Sequence, residues 1–324
     1  MSIIKNIAVI GCGQLGRRHI QGLGKSNQRI KVHVYDISSE SLNICKEFIY
    51  DIADEIGNLD FVFFDDLKLI GSVVFKYDLI IVASTANQRS IQLGQLVSLM
   101  QSRHWLIEKP LSQSPKELDE LTALLPSKGV WINHIRRFIV WHQNLQAIFC
   151  KKKIHEVIVT GPNIGIGCNV SHFVDLVNYW TSQMPISVDV SGLNSEWHDS
   201  DRFGFKEIDG SIKINFSDGL TLLIVSDNSF SNRTIKGTYD SNKTFAIYEN
   251  QGTSIIDGVR TEIGRMPFQS ELTGLVFDEI DQTDRSVLTP YSVAADCYRP
   301  VIEALLNHWA STIDGAGNIN VPLT

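Results

Sequence analysis

The sequence predicts an α/β protein with a doubly wound parallel sheet in its first part and an α/β region with an open, mostly antiparallel sheet in its second part. Three observations predict this fold. A glycine-rich turn follows an apolar strand near the amino terminus, strand and helix patterns then alternate as in βαβ units, and short alternating strands dominate the second half. We expect two domains, over residues 1–133 and 134–324.

The first apolar strand ends in a Gly-x-Gly-x-x-Gly turn, formed by Gly11, Gly13 and Gly16, and a helix pattern follows. A second strand closes with Asp36, 20 residues beyond Gly16. This spacing is the fingerprint of a dinucleotide-binding βαβ unit. The alternative interpretation is a doubly wound domain whose glycine turn binds nothing.

Each glycine of the fingerprint has a physical role. Gly11 permits the tight turn, Gly13 lets the backbone approach a pyrophosphate, and Gly16 lets the helix pack closely on the strand. The free N–H groups at the helix start, at Gln14 and Leu15, would then meet the phosphate charge.

Asp36 predicts which dinucleotide is bound. Its carboxylate would accept hydrogen bonds from the adenosine ribose hydroxyls and would repel a 2′-phosphate, which favours NAD over NADP. The alternative role for Asp36 is a cap on the helix that follows it.

Two further strand ends are polar. The strand that begins at Tyr77 ends in Ser84 and Thr85, and the next strand ends in Glu108 and Lys109. Because ligands bind outside the carboxyl ends of the strands in a doubly wound sheet, we expect these residues to join the glycine turn in the cofactor site.

The second half has a different pattern. A helix is predicted over residues 170–180 and a final amphipathic helix over about 292–312. Between them lie alternating segments, of which residues 210–216 and 220–225 are predicted to form a hairpin. These strands predict the open sheet.

Composition excludes several function classes. A net charge of −7 argues against a nucleic-acid or anionic-membrane surface, and no stretch approaches the ~20 apolar residues that cross a bilayer. The five cysteines are scattered, so we expect free thiols, no metal site and a cytoplasmic protein. The strand that begins at Lys5 leaves no room for a signal peptide before it.

The order of the motifs resembles the glucose-fructose oxidoreductase, inositol 2-dehydrogenase and MocA family, abbreviated Gfo/Idh/MocA. The motifs in question are the glycine turn, the acid after the second strand, Ala-Ser-Thr after the fourth, Glu-Lys-Pro after the fifth, an Arg-Phe after the sixth, and His172-x-x-Asp175. The resemblance implies a Rossmann domain followed by an open-sheet α/β domain. It also implies hydride transfer between nicotinamide and a carbohydrate-like small molecule, in a homodimer or homotetramer that assembles through the open sheets.

The resemblance also implies catalytic roles. Lys109 matches the lysine that points at the reacting oxygen, and His172 matches the catalytic histidine, with Asp175 on the same helix face to fix its tautomer. Either Lys109 or His172 could remove the hydroxyl proton. The alternatives are a surface lysine, and a capping histidine beside a solvated aspartate. Cys168 stands where the family often has an aspartate.

The predicted contacts fall into two sets. Cofactor contacts are predicted at Gly11, Gly13, Gln14, Leu15, Gly16, Asp36, Ser84, Thr85, Glu108 and Lys109. Substrate contacts are predicted at Arg89, Asn133, Arg137, Asn169 and His172. Three arginines, Arg89, Arg136 and Arg137, leave open an acidic sugar or a sugar nucleotide, since arginine suits carboxylate and phosphate groups.

The sequence therefore predicts an NAD-dependent oxidoreductase that acts on a sugar, a cyclitol or a sugar-nucleotide-like substrate, with NADP the less favoured cofactor. Two alternatives stay open. One is a non-catalytic dinucleotide-binding or regulatory protein on the same fold. The other is a lyase or glycosidase that uses NAD only transiently.

Overall fold

The computed structural model describes residues 3–312 and 320–324. The strands, in chain order, are β1 (Lys5–Ile10), β2 (Ile30–Tyr35), β3 (Leu59–Phe64), β4 (Tyr77–Val82), β5 (Ser102–Ile107), β6 (Val130–Ile132), β7 (Ile154–Gly161), β8 (Pro185–Leu193), β9 (His198–Asp199), β10 (Lys206–Glu207), β11 (Gly210–Phe216), β12 (Thr221–Ser226), β13 (Thr234–Tyr239), β14 (Lys243–Tyr248), β15 (Thr253–Ile256), β16 (Val259–Glu262) and β17 (Thr289–Pro290). The helices are α1 (Gln14–Leu23), α2 (Ser39–Asp51), α3 (Leu67–Val73), α4 (Arg89–Leu99), α5 (Pro115–Leu124), α6 (Val140–Phe149), α7 (Ile166–Thr181), α8 (Gln269–Thr283) and α9 (Tyr291–Thr312).

These elements pack into two compact units. The first unit contains the described residues through Glu108, together with Glu120–Asn133 and Pro267–Tyr291. The second contains Lys109–Asp119, His134–Met266 and the described residues from Ser292 onward. The sequence predicts one break, at residues 133 and 134, whereas the chain crosses between the units at further points.

The first unit is built on a seven-stranded sheet in the order β17-β6-β5-β4-β1-β2-β3. All its neighbouring strands run parallel except β17, which is antiparallel to β6. The central strands β1 and β4 are almost wholly apolar and buried, as expected for a sheet covered on both faces. The predicted doubly wound sheet is confirmed.

Helix α8 completes the first unit although it comes late in the chain. It packs against α1 within this unit at two glycines: a Cβ atom on Gly22 would lie 2.7 Å from the Gln269 carbonyl oxygen, and Gly274 is equally crowded. The sequence analysis did not find α8, because a helix pattern in the second half gives no sign that it belongs to the first sheet.

The second unit is built on an eight-stranded sheet in the order β16-β15-β14-β13-β7-β12-β11-β8, in which only β7 and β12 pair in parallel. One face is apolar and is covered by α6 and α7, where Phe149 and Trp180 both contact Phe245. The other face carries exposed or half-buried side chains, such as Lys213 and Lys236. The predicted open, mostly antiparallel sheet is confirmed.

Helix α7 begins earlier than the sequence predicts. It starts at Ile166 rather than near residue 170, directly after Gly165, whose φ of +67° suits a residue without a side chain. Its first turn therefore includes Gly167 and Cys168, which bear on the site described below.

Candidate active site

The glycine turn in the first unit has the geometry that a dinucleotide requires. Gly11 has a φ of +89°, and a Cβ atom there would lie 2.9 Å from the backbone nitrogen of Ser84. A Cβ atom on Gly16 would overlap the carbonyl oxygen of Gly11. A Cβ atom on Gly13, in contrast, would meet no described atom within 4 Å. Two glycines thus serve packing, and the third leaves open space in front of the turn.

The start of α1 faces this open space. Gly13 precedes the helix, and no described side chain caps it. Gln14 is exposed and Leu15 half-buried. The first N–H groups of an uncapped helix are free to bind an anion, so the residues present fit a pyrophosphate.

Asp36 follows β2 beside the glycine turn. Its carboxylate oxygens accept backbone N–H groups from Cys12 at 2.8 Å and from Ser38 at 2.9 Å. Helix α2 is capped instead by Ser38, whose hydroxyl accepts the Ser41 N–H. Because a carboxylate can accept about four hydrogen bonds, Asp36 keeps capacity for ribose hydroxyls.

Ser84 and Thr85 form the turn after β4. The Ser84 backbone packs against Gly11, and its hydroxyl donates to Gln92. Both residues are half-buried. The Ser84 backbone therefore lies beside the glycine turn, while the Ser84 hydroxyl already has a partner.

Glu108 is buried at the end of β5 and positions α1. Its carboxylate pairs with His19 Nε2 at 2.9 Å and accepts the Asn133 side-chain amide. Asn133 also donates to Gln269 at 2.9 Å, which uses both of its N–H donors. Asn133 is 4 % exposed, so its predicted contact with substrate is not supported.

For Arg89, which the sequence analysis expected to contact substrate, the structure shows a different set of partners. The side chain is fully buried, and its guanidinium donates to the carbonyl oxygens of Glu108 and Ser84. These two residues follow β5 and β4, so Arg89 binds the backbone at the ends of both strands. The guanidinium therefore has a structural role in the first unit.

Lys109 lies in the second unit, against the first turn of α7. Its Nζ is 3.0 Å from Cys168 Sγ and 3.1 Å from Asn169 Oδ1. The amide of Asn169 also donates to the Ile164 carbonyl at 2.7 Å, which fixes its orientation. Asn169 thus holds Lys109, a role other than the predicted substrate contact. His172 is one turn after Cys168 on the same helix face.

Glu207 is a site residue that the sequence analysis missed. Its two carboxylate oxygens accept the backbone N–H groups of Gly167 at 2.8 Å and Cys168 at 2.9 Å. Burial raises its pKa, while these hydrogen bonds and the charge of Lys109 act in the opposite direction. No local pattern marks Glu207, because its strand β10 has only two residues.

His172 is held in its neutral form. Burial lowers the pKa of His172 well below its ordinary value, and the charges of Lys109, Arg136, His134 and Arg233 lower it further. Its Nδ1 is buried and has no hydrogen-bond partner in the described part of the chain. An uncharged imidazole with a free nitrogen is able to accept a proton.

The sequence analysis expected Asp175 to pair with His172, but in the structure it pairs with other residues. The neighbouring imidazole is His134, whose Nδ1 lies 3.2 Å from the Asp175 carboxylate. Arg137 donates to the same carboxylate from Nε and Nη2, at 2.9 and 2.8 Å. Burial alone would raise the pKa of Asp175, but His134 and Arg137 outweigh it and lower the pKa to about 2.

Arg137 is consequently not a free substrate contact either. It is 8 % exposed and also donates to Asn178 at 2.9 Å. The adjacent Arg136 forms a bidentate pair with Glu249, with both distances 2.9 Å. These two buried ion pairs hold the segment after β6 against the core of the second unit.

Neither a metal site nor a membrane span is found in the described ranges. No group of three or more His, Cys, Asp or Glu side chains there is arranged to hold a metal ion. No helix there combines the length and the apolar character needed to cross a bilayer.

Comparisons with known proteins support the same assignment of the fold. Residues 5–134 match the model of an oxidoreductase family, Gfo/Idh/MocA, described as having an NAD-binding Rossmann fold. The chain is similar to the structure of UDP-N-acetylglucosamine 3-dehydrogenase GnnA from Acidithiobacillus ferrooxidans, with a TM-score of 0.71, 16 % identity and coverage of 96 % of this chain and 100 % of that one.

Two cyclitol dehydrogenases have similar structures. Scyllo-inositol dehydrogenase from Lactobacillus casei, solved with NAD(H) and scyllo-inositol, gives a TM-score of 0.67 at 12 % identity, over 94 % of this chain and 97 % of that one. Myo-inositol dehydrogenase from Corynebacterium glutamicum gives 0.67 at 14 % identity, over 95 % and 98 %.

A curated relative matches only a short segment. Polyamine aminopropyltransferase from Clostridium perfringens is 34 % identical over 84 residues, which are 25 % of this chain. The match spans 29 % of that enzyme, less than a third of its length.

Proposed function

Because residues 5–134 belong to the Gfo/Idh/MocA family of oxidoreductases, we propose that the protein transfers a hydride between NAD and a hydroxyl or carbonyl carbon of a carbohydrate-like substrate. The observation that supports this most directly is the contact of the Lys109 ammonium with the first turn of α7, the helix that carries the neutral His172.

The residues of the first unit would hold the dinucleotide. The open space at Gly13 and the uncapped start of α1 suit a pyrophosphate, and Asp36 suits ribose hydroxyls. Bound nicotinamide would supply the hydride acceptor or donor. Asp36 also favours NAD over NADP, since its charge would repel a 2′-phosphate. Titration should therefore give a lower Kd for NADH than for NADPH.

Lys109 would stabilise the reacting oxygen. An ammonium group has three N–H donors, and Cys168 and Asn169 accept two of them. The third is left for a substrate oxygen, where the positive charge stabilises developing alkoxide character.

His172 would accept the proton. As the hydride leaves the substrate carbon, the hydroxyl proton passes to the neutral imidazole, and the C–O bond becomes a carbonyl. In the opposite direction the imidazolium returns this proton to the oxygen. Depression of the His172 pKa keeps the imidazole in its basic form at neutral pH.

Similar proteins support the substrate class. GnnA is a dehydrogenase of a nucleotide sugar, and the two inositol dehydrogenases act on cyclitols. At 12–16 % identity these likenesses concern the fold, so the carbohydrate substrate is part of the proposal.

The test is a turnover assay with a matched pair of lysine variants. The wild-type protein is incubated with NAD and a panel of aldoses, cyclitols, uronates and nucleotide sugars, and NADH formation is followed. Lys109→Met should lower kcat about 100-fold or more, whereas Lys128→Met, at an exposed site, should leave it unchanged. NADH binding without turnover on any substrate would favour a binding protein, and turnover without net NADH change would favour a lyase or glycosidase.

We also propose a homodimer or homotetramer that assembles through the open face of the second sheet. That face includes half-buried apolar side chains such as Ile158 and Leu223 beside Lys213 and Lys236, a mixture typical of interfaces. Mass measurement in solution tests this. The proposed location is the cytoplasm, a reducing compartment that suits its free thiols.

A further inference from the structure

The backbone holds Arg233 against the carboxyl end of β7. It directly precedes β13, whose first residue, Thr234, pairs with Thr160 on β7, and the two hydroxyls lie 2.8 Å apart. A Cβ atom on the next residue, Gly161, would lie 3.0 Å from the Arg233 Cα. A glycine is therefore needed where the Arg233 backbone crosses the end of β7, five residues before α7 begins.

The Arg233 side chain is half-buried and has no partner in the ranges that the structure describes. It forms no hydrogen bond or ion pair there, and its Nε is enclosed. Burial lowers its pKa, and the charge of Arg136 lowers it further. Removing part of a guanidinium from water without a counter-charge is unfavourable, so such groups are normally paired.

The carboxylate that acts on Arg233 is already occupied. Glu249 attracts Arg233 at longer range, but its oxygens are bound bidentately by Arg136 and approached by His142 at 3.3 Å. These pairs therefore leave the charge of Arg233 without a partner of its own among the described residues.

The same imbalance is felt at the proposed base. The charges that act most strongly on His172 come from Lys109, Arg136, His134 and Arg233, and all of them disfavour its protonation. The geometry agrees: the guanidinium of Arg136, whose charge also acts on Arg233, lies 4.8 Å from the ring centre of Phe173, the residue after His172. Lys109 and His172 are assigned to the reacting oxygen and its proton, which leaves Arg233 for another part of the substrate.

We propose that the substrate carries an anionic group, a carboxylate or a phosphate, and that Arg233 binds this group. The inference rests on the proposed function, because it concerns the substrate of the same site. The planar guanidinium fork matches both oxyanions. The bound anion supplies the counter-charge that the protein itself does not, and Arg233 then determines specificity for acidic over neutral carbohydrates.

A bound anion has a second effect on the reaction. A negative charge beside Arg233 offsets part of the positive potential at His172 and raises the pKa of His172 towards its ordinary value. The imidazole then becomes a stronger base when the correct substrate is present. A neutral sugar leaves the imidazole a weak base. We therefore expect a neutral sugar to have a lower kcat as well as weaker binding.

The test compares acidic sugars with their neutral counterpart. Binding of D-glucuronate, D-glucose 6-phosphate, UDP-glucuronate and D-glucose to the NAD-loaded protein is measured by calorimetry. The variants are Arg233→Gln, Arg233→Lys and, as a matched control, Arg260→Gln on the exposed strand β16. We expect at least one acid to bind about 10- to 100-fold more tightly than glucose. The acid that binds most tightly then shows whether Arg233 recognises a carboxylate or a phosphate.

The variants separate binding from folding. Arg233→Gln should reduce the preference to about one, Arg233→Lys should retain part of it, and Arg260→Gln all of it. Because Arg233→Gln removes an unpaired, half-buried charge, its Tm without ligand should be equal to or above that of wild type. A lower Tm, an acid preference that survives in Arg233→Gln, or equal binding of glucose and all the acids would overturn the inference, as would failure of every acid to bind.

These outcomes are distinct from failure of the proposed function. A neutral sugar that is oxidised as well as the acids leaves the oxidoreductase proposal standing and removes the role of Arg233. An acid that binds through Arg233 without any NADH formation supports the role of Arg233 and argues against the oxidoreductase proposal.

Discussion

At the scale of single residues, the charge state of His172 is set by its surroundings rather than by a hydrogen-bonded acid. Burial and four neighbouring charged groups act on it together, and Lys109 is the strongest of the charges. An isolated histidine titrates near pH 6.5. The wild-type imidazole should therefore stay neutral well below that pH.

We predict that Lys109→Met raises the pKa of His172. The neutral side chain removes one positive neighbour, so protonation becomes easier and the midpoint moves towards the ordinary value. NMR titration of the ring, assigned with His172→Gln, measures the change. Lys128→Met, at an exposed site, is the control and should leave the midpoint in place. An unchanged midpoint in Lys109→Met would mean that the two groups do not interact.

Glu207 is a positioning residue, because it acts on Lys109 through the first turn of α7. Glu207→Gln should keep one side-chain oxygen that accepts a backbone N–H and should lose the negative charge. We predict a roughly tenfold lower kcat with little change in the KM for NAD. The loss should appear in kcat because the first turn of α7, which contacts Lys109, loses part of its support.

Two further variants test whether this effect is electrostatic. Glu207→Asp keeps the charge and should restore most of the kcat, and Glu196→Gln, at an exposed site, should behave as wild type. Equal kcat losses in Glu207→Asp and Glu207→Gln would reduce Glu207 to a structural cap of α7.

At the scale of elements, the turn between β1 and α1 separates packing glycines from a binding glycine. Gly16 touches Gly11 directly, whereas a side chain on Gly13 would enter open space. We predict that Gly13→Ala folds with a Tm near that of wild type but weakens NADH binding about tenfold or more, because the methyl group stands where the pyrophosphate approaches.

Gly57→Ala is the matched control, since a Cβ atom there also meets no described atom within 4 Å. It should change neither Tm nor NADH affinity, as measured by thermal unfolding and by fluorescence titration. Gly16→Ala, in contrast, should lower the Tm. Normal NADH binding by Gly13→Ala would argue against the proposed position of the pyrophosphate.

The elements differ in how far their sequences predicted them. The glycine turn and the strands β1, β4 and β5 were predicted, because runs of buried apolar residues have a clear local pattern. The start of α7 was placed a turn too late, since Ile166 and Gly167 give no helix signal by themselves. The positions of α8 and β17 in the first unit depend on contacts with distant residues, which a local pattern does not contain.

At the scale of the whole molecule, buried ion pairs make stability depend on pH. Asp175 is 1 % exposed, and its partners lower its pKa from 3.8 to about 2. A carboxylate whose pKa is lowered in the folded state stabilises the protein at any pH above the pKa it has in the unfolded chain. This stabilisation is lost as the pH falls from about 4 to 2. We predict a loss of about 2 kcal/mol in the free energy of unfolding over that range.

Asp175→Asn should abolish this part of the pH dependence. At neutral pH it should also destabilise the protein by about 3–5 kcal/mol, because Arg137 is left as a buried charge without its partner. Asp201→Asn, at an exposed carboxylate, is the control and should leave stability unchanged. Denaturant unfolding at several pH values measures both. Equal stability of Asp175→Asn and wild type would exclude a role of this pair.

The sequence by itself determined the two sheets and the dinucleotide fingerprint. These features depend on backbone requirements at fixed spacing, which neighbouring residues express. The tertiary structure alone decided which charges meet. Asp175 is three residues from His172 yet pairs with His134, Arg89 binds carbonyl groups, and Glu207 reaches α7 from a two-residue strand. A side chain's partner is set by distance in space, and the chain brings distant residues together only when it folds.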